Sequence, residues 1–222
     1  MYLGALMLLL GLVPGTIEES YQLKMIQATP PAELSELVQA VLPKRAYQIC
    51  NSQGEIVCEV WFREKLPLKA TAEQVKNGLT YREVEQTTLL GAIRFPRATK
   101  NYRQHEVPAG VYTLRFAIQP PEGDHLGTAP YQEFCLLSAA KDDQKPETID
   151  VKELYEHSAA SLGGKHPSMM LLFPHPATGA KPKLTDEGKG HWVLRTVLEI
   201  QSEGQYGKLG LGLTVVGHSP LS

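Results

Sequence analysis

Six side chains in the second half of this chain have the types, and the placement mostly on predicted loops, that could hold a metal: His125, His157, His166, Met169, Met170 and His175. Imidazole nitrogen serves zinc and copper alike, and thioether sulfur suits copper(I). His166-x-x-Met169 at the entrance of a predicted strand, with His125 on another loop and His157 or Met169 as a third ligand, is the set such a site would use. The tight metal spacings are absent from the sequence: it has no C-x-x-C, no H-E-x-x-H, and no His two to four residues after Cys135. Separated loops would therefore have to converge. The simpler expectation is that no cofactor is bound, that His166 ends a loop before Pro167, and that Met169 and Met170 alternate between core and surface.

Other chemistries leave weaker traces. No G-x-S-x-G string exposes a serine on a strand-to-helix turn, and Ser138, Ser158, Ser161, Ser168 and Ser219 offer too many pairings with histidine to rank. The adjacent carboxylates Asp142-Asp143 should point apart in a solvated K-D-D-Q-K turn. Gly210 and Gly212 alternate with Leu209, Leu211 and Leu213 without phosphate-loop spacing, and read as a strand whose bare face lets another layer approach. No catalytic residue is expected. For binding, flat rings with polar handles can stack on sugars or anchor a partner, and Trp61 and Tyr131 are the candidates. Trp61 sits between Val60 and Phe62, so Trp61 or Phe62 must leave the core unless the strand is covered on both faces. The formal charge of −2 gives no basic field for nucleic acid, and the cluster Arg94, Arg97, Lys100 and Arg103 is diluted by Glu106.

The elements that would position these groups are mainly strands. Residues 1–15 carry an apolar run, Tyr2 to Val13, closed by Pro14-Gly15. A dozen or so apolar residues fall short of the roughly 20 that span a bilayer but match the core of an export leader. Cleavage would leave Thr16 at the terminus; an uncleaved leader would be the one route to a membrane. Residues 16–45 should form a helical segment: Thr29 caps, Pro30-Pro31 open the first turn, Leu34, Leu37, Val38 and Val41 recur at helical spacing, and Pro43 ends it. From residue 46 to 222 the period turns to two. Strands are expected near 47–50, 56–63, 88–94, 110–119, 132–138, 169–173, 192–201 and 209–217, with helical turns near 72–76 and 150–161 and a mobile polar loop at 174–190. That pattern predicts an antiparallel β-sandwich or jelly roll. Cys50 and Cys58 flank a turn at Gly54; a three-residue loop makes them diagonal neighbours, too far apart to bridge, whereas a shift of one residue would join them. Cys135 reads as a small buried apolar residue.

The clearest local unit is Val107-Pro108-Ala109-Gly110-Val111-Tyr112-Thr113-Leu114-Arg115-Phe116, a tight turn feeding a strand that should send Tyr112, Leu114 and Phe116 into the core. Together with G-D-H-L-G at 123–127, F-C-L-L-S-A-A-K-D-D at 134–143 and the terminal G-L-G-L-T-V-V-G-H, it resembles a family of exported bacterial β-sandwich proteins without an assigned activity. The resemblance runs over about residues 30–218, supports fold and compartment, and implies no catalytic residues. The expected role is a non-catalytic binding or structural module of the periplasm or cell envelope, recognising an extracytoplasmic protein or a glycan. The runner-up is the copper or zinc protein described above.

Overall fold

The computed structural model describes residues 20–119, 129–164, 166–178, 181–188, 190–202 and 205–219. The leader expected at 1–15 and His125 both lie outside the described residues. The strands are β1 (Tyr21–Gln27), β2 (Arg45–Asn51), β3 (Ile56–Phe62), β4 (Leu66–Pro67), β5 (Leu89–Phe95), β6 (Thr99–Lys100), β7 (Glu106–Val107), β8 (Gly110–Ile118), β9 (Glu133–Ala139), β10 (Ser168–Phe173), β11 (Lys183–Asp186), β12 (Trp192–Ser202) and β13 (Gln205–Val216). The helices are short: α1 (Glu36–Gln39), α2 (Ala72–Asn77) and α3 (Val151–Ala160). All eight strands expected from the period-two pattern are present, and the protein is mainly β.

One sheet runs in the order β1-β2-β3-β5-β8-β9-β10-β13-β12-β11, with β4 parallel beside β12 and β6-β7 a separate ribbon. The sheet curls. Its ends meet where the Tyr21 ring stands edge-on to Trp192 at 5.4 Å, and the Tyr47 hydroxyl hydrogen-bonds Thr196 Oγ1 at 3.1 Å. The enclosed face collects Ile49, Val60, Phe62, Tyr112, Leu114 and Phe116 from one half and Leu194, Leu198, Leu211 and Leu213 from the other. Where the pairing of β10 with β13 ends, the Tyr81 hydroxyl donates to Phe173 O (2.8 Å) and accepts from Gly212 N (3.0 Å), closing the gap in the ladder. On the same strand, a Cβ at Gly210 would stand 1.9 Å from His175 O and one at Gly212 2.8 Å from Phe173 O. The bare face is thus where the 173–176 segment crosses.

Several expectations are corrected. The N-terminal segment begins as strand β1, not helix, because residues 21–27 pair in register with 45–51. The helix foreseen from Thr29 to Leu42 is reduced to one turn, capped by Ser35, whose hydroxyl accepts from Val38 N and donates to Gln144 O at 2.5 Å. Leu34, Val38 and Leu42 still pack inward, but Leu37 is exposed. The polar loop at 174–190 contains β11, paired with the start of β12. At the 50/58 hairpin, Gly54 takes the left-handed φ of +80°, and Cys50 faces Ile56, but a bulge after Ile49 sets Cys58 opposite Ile49. All three cysteines are free.

The largest departure concerns the outer face of β8. Val111, Thr113 and Arg115 are buried too, covered by 28–46, by 140–149 and by α3. Arg115 is fully buried, and each of its five N–H donors has an acceptor. Nε and one Nη2–H grip Asp143 at 2.6 and 2.7 Å; the remaining three reach Thr87 O (2.6 Å), Glu147 O (2.8 Å) and Lys145 O (2.5 Å). Asp143, 3% exposed, also accepts from Thr113 Oγ1 at 2.5 Å. The K-D-D-Q-K turn is therefore anchored through its second aspartate, not solvated throughout.

Asp143→Asn leaves a buried guanidinium without its counter-charge and should cost about 3–5 kcal/mol in urea unfolding; a loss under about 1 kcal/mol would contradict the reading. The Arg115→Met/Asp143→Leu pair should not recover it, because the carbonyls of Thr87, Lys145 and Glu147 lose their donors. Gly210→Ala should cost about 1–3 kcal/mol by overpacking, whereas Gly164→Ala, whose nearest neighbour would be 3.9 Å away, should be close to neutral.

Candidate functional site

Each group expected to do chemistry has a definite place. Trp61 is not a surface ring: it is 1% exposed, and its Nε1–H donates to Ala28 O at 3.1 Å, because 28–46 covers the second face of β3. Tyr131 is half-buried, edge-on to Phe173 at 5.0 Å. His157 lies on α3 with Nε2 4.0 Å from Glu153, its i−4 neighbour. Met169 faces outward on β10, wedged beside Phe134 and Leu154. His166 is exposed and stacks on His105, ring centroids 6.0 Å apart. Burial, then the cations of Arg195 and Lys183, hold the His175 imidazole below its ordinary pKa. Among the described residues, no group of three or more His, Cys, Asp or Glu side chains is placed to hold a metal ion.

Several of the other reactive groups have structural partners, although the buried Ser138 and Ser168 hydroxyls have none among the described residues. Ser158 Oγ donates to Ser168 O (3.1 Å) and accepts from Ser168 N (2.9 Å), tying α3 to β10. The basic cluster is partly paired, Arg94 with the buried Glu59 and Arg97 with Glu55. Burial raises the Cys58 and Cys135 thiols well above the usual range, so neither is a ready nucleophile.

Among the described residues, an open concavity lies at one end of the curled sheet. It is an open cleft of about 560 Å³, walled by Tyr21 at the start of β1, Val57 at the start of β3, Lys100 and Glu106 on the β6-β7 ribbon, and Val216 and His218 at the exit of β13. That size falls within the ordinary range for small-ligand sites. The ribbon stands there because of Asn101: Oδ1 accepts from Arg103 N (2.9 Å) and His105 N (3.0 Å), fixing the turn between β6 and β7. His191 supports the far wall, its Nε2 2.9 Å from His218 O and its ring stacked on Tyr102 at 5.8 Å. Lys100 and Glu106 face each other in register, so the rim carries both signs. Sequence reasoning missed Tyr21, Asn101 and His191 as site residues. The Asn-x-Arg-x-His turn was the available signal, since asparagine favours such turns, but it said nothing about what the turn borders.

No family model, no curated protein and no solved structure matches this chain.

The burial of the thiols predicts a simple titration. Native protein should show no fast reaction with a thiol reagent, and all three cysteines should react once guanidinium unfolds it. One rapidly reacting thiol in the native state would contradict the placement.

Proposed function

We propose that this chain is an exported, non-catalytic binding or structural module of the periplasm or cell envelope, and that its target is an extracytoplasmic protein or a glycan. The observation that carries the reading is the open cleft at the ribbon end, about 560 Å³ in volume, with an aromatic wall and a rim of opposite charges. The apolar run from Tyr2 to Val13 supports export, and so does the resemblance to exported bacterial proteins of unassigned activity carried by the P-A-G-x-Y-x-L hairpin. A sandwich-like flattening of the curled sheet fits the way the inner faces of β8 and β13 share one core.

A second reading, a copper or zinc protein, is favoured by one contact, the His105–His166 stack. His166 would keep its role there, with His105 in place of His157 and with His125 still a proposed ligand.

Three measurements, of processing, capture and metal content, test these readings. Expressed with its own first residues in a secreting host, the protein should lose 1–15 and start at Thr16 by intact mass; an unprocessed cytosolic product would count against export. The mature protein should capture an envelope glycan on an array, or an envelope protein by cross-linking, and should carry no stoichiometric metal. Copper or zinc at one equivalent, lost on His166→Ala, would move the assignment to the second reading.

A further inference from the structure

Behind the cleft lies a smaller void of about 10 Å³, and the two share Thr99, Lys100, Val215 and Gly217 as walls. The void is about the size that holds a single water. Asn101 and Thr214, each 3% exposed, line it. Among the described residues, Asn101 Nδ2 and Thr214 Oγ1 are buried and have no hydrogen-bond partner. The orientation of the Asn101 amide is set by its other atom, since Oδ1 already accepts two backbone N–H groups. Nδ2 can therefore only donate, and a buried donor left unmade costs about 1–3 kcal/mol.

Resting on the binding-module reading above, we infer that this floor and the cleft in front of it form a saccharide subsite. Asn101 Nδ2 and Thr214 Oγ1 engage a hydroxyl of a neutral pyranose in the cleft through one water held in the void. The chemistry narrows the class in three ways. A donor that cannot accept calls for a carbonyl or hydroxyl oxygen. Lys100 and Glu106 lie opposite each other on the rim and balance, which gives no preference for an acidic sugar over a neutral one. Tyr21 supplies an aromatic wall against which a sugar ring can pack.

The probes are N-acetylglucosamine, its disaccharide, glucose and glucuronate, read by saturation-transfer NMR and by fluorescence of Trp192, which contacts Tyr21 at 5.4 Å. Asn101→Asp keeps the acceptor that holds the turn and removes the donor; Thr214→Val keeps the shape and removes the hydroxyl. The expected result is that a neutral sugar binds the full-length mature protein, and that each variant weakens it by about tenfold while the melting temperature of Thr214→Val holds or rises. If none of the three neutral sugars binds, or if glucuronate alone does, the inference is overturned. It is also overturned if sugar binding is unchanged in both variants, which would leave the floor atoms holding a structural water only. In those cases, capture of an envelope glycan or protein by the same variants would keep the module reading alive at another face, whereas its loss in the wild type would end both.

Discussion

A fully buried guanidinium governs how this chain folds outside its central sheet. Arg115 stands on a strand, with its side chain on the face that a one-sided sheet would give to water, yet that side chain is fully buried. The ion can persist only if every donor finds an oxygen, because an unpaired buried charge is far costlier than a lost contact. Asp143 supplies two oxygens and three carbonyls, from Thr87, Lys145 and Glu147, supply the rest. Those carbonyls belong to otherwise irregular segments. The 140–149 stretch has no helix or strand of its own, and it is the planar five-donor fork that fixes its course. Lysine, with three donors on a flexible stem, could not satisfy the same five acceptor sites.

Thr87 shows how far this constraint reaches. It is β-branched and adopts φ +69°, a region that such residues rarely enter. Its carbonyl is held by Arg115, its amide donates to Phe116 O (2.8 Å), and its hydroxyl donates to Ile149 O (2.8 Å) while accepting from Ile149 N (3.1 Å). The backbone strain is stabilised by the same network that orders the loop, so sheet, turn and loop hold together as one cooperative unit. The Ser35 hydroxyl extends it by donating to Gln144 O, drawing the single turn of α1 toward that loop and over Trp61. Covering both faces of β3 is thus a consequence of charge satisfaction on β8 as well as of apolar burial.

This explains which parts of the molecule were legible in the sequence. The eight main strands followed from alternation, α3 from its Asp150 cap, and the approach at Gly210 and Gly212 from their missing side chains, because each is a local property. The same alternation misled wherever a long-range contact decided the outcome. V-W-F alone leaves Trp61 open between a surface ring and a ring covered by the segment around Pro31 to Leu42, and the 28–46 segment decides for cover. Asp142-Asp143 looked like a solvated pair because the partner of Asp143 lies 28 residues away. β1 and β11 are edge strands whose mixed polar pattern carries little periodic signal, and only pairing with β2 and β12 identifies them. The cleft was illegible for the same reason: β1, β3, the β6-β7 ribbon and the end of β13 meet there, and no stretch of sequence contains more than a fragment of it.

β13 joins the two roles of the fold in a single strand. Its first half is rich in glycine because other elements must come close: Val75 of α2 lies against Gly207, His175 crosses Gly210 and Phe173 lies against Gly212. Its second half, Thr214 to Val216, carries side chains with volume and a hydroxyl, and these wall the void and the cleft. The change in composition marks the point where the strand stops admitting neighbours and starts presenting a surface. Between the halves, the Tyr81 hydroxyl takes over the hydrogen bonding where the β10 ladder ends. The burial that raises the pKa of that hydroxyl also keeps it protonated, hence able to donate to Phe173 O while accepting from Gly212 N. β13 is therefore tied to the end of β10 through a neutral hydroxyl.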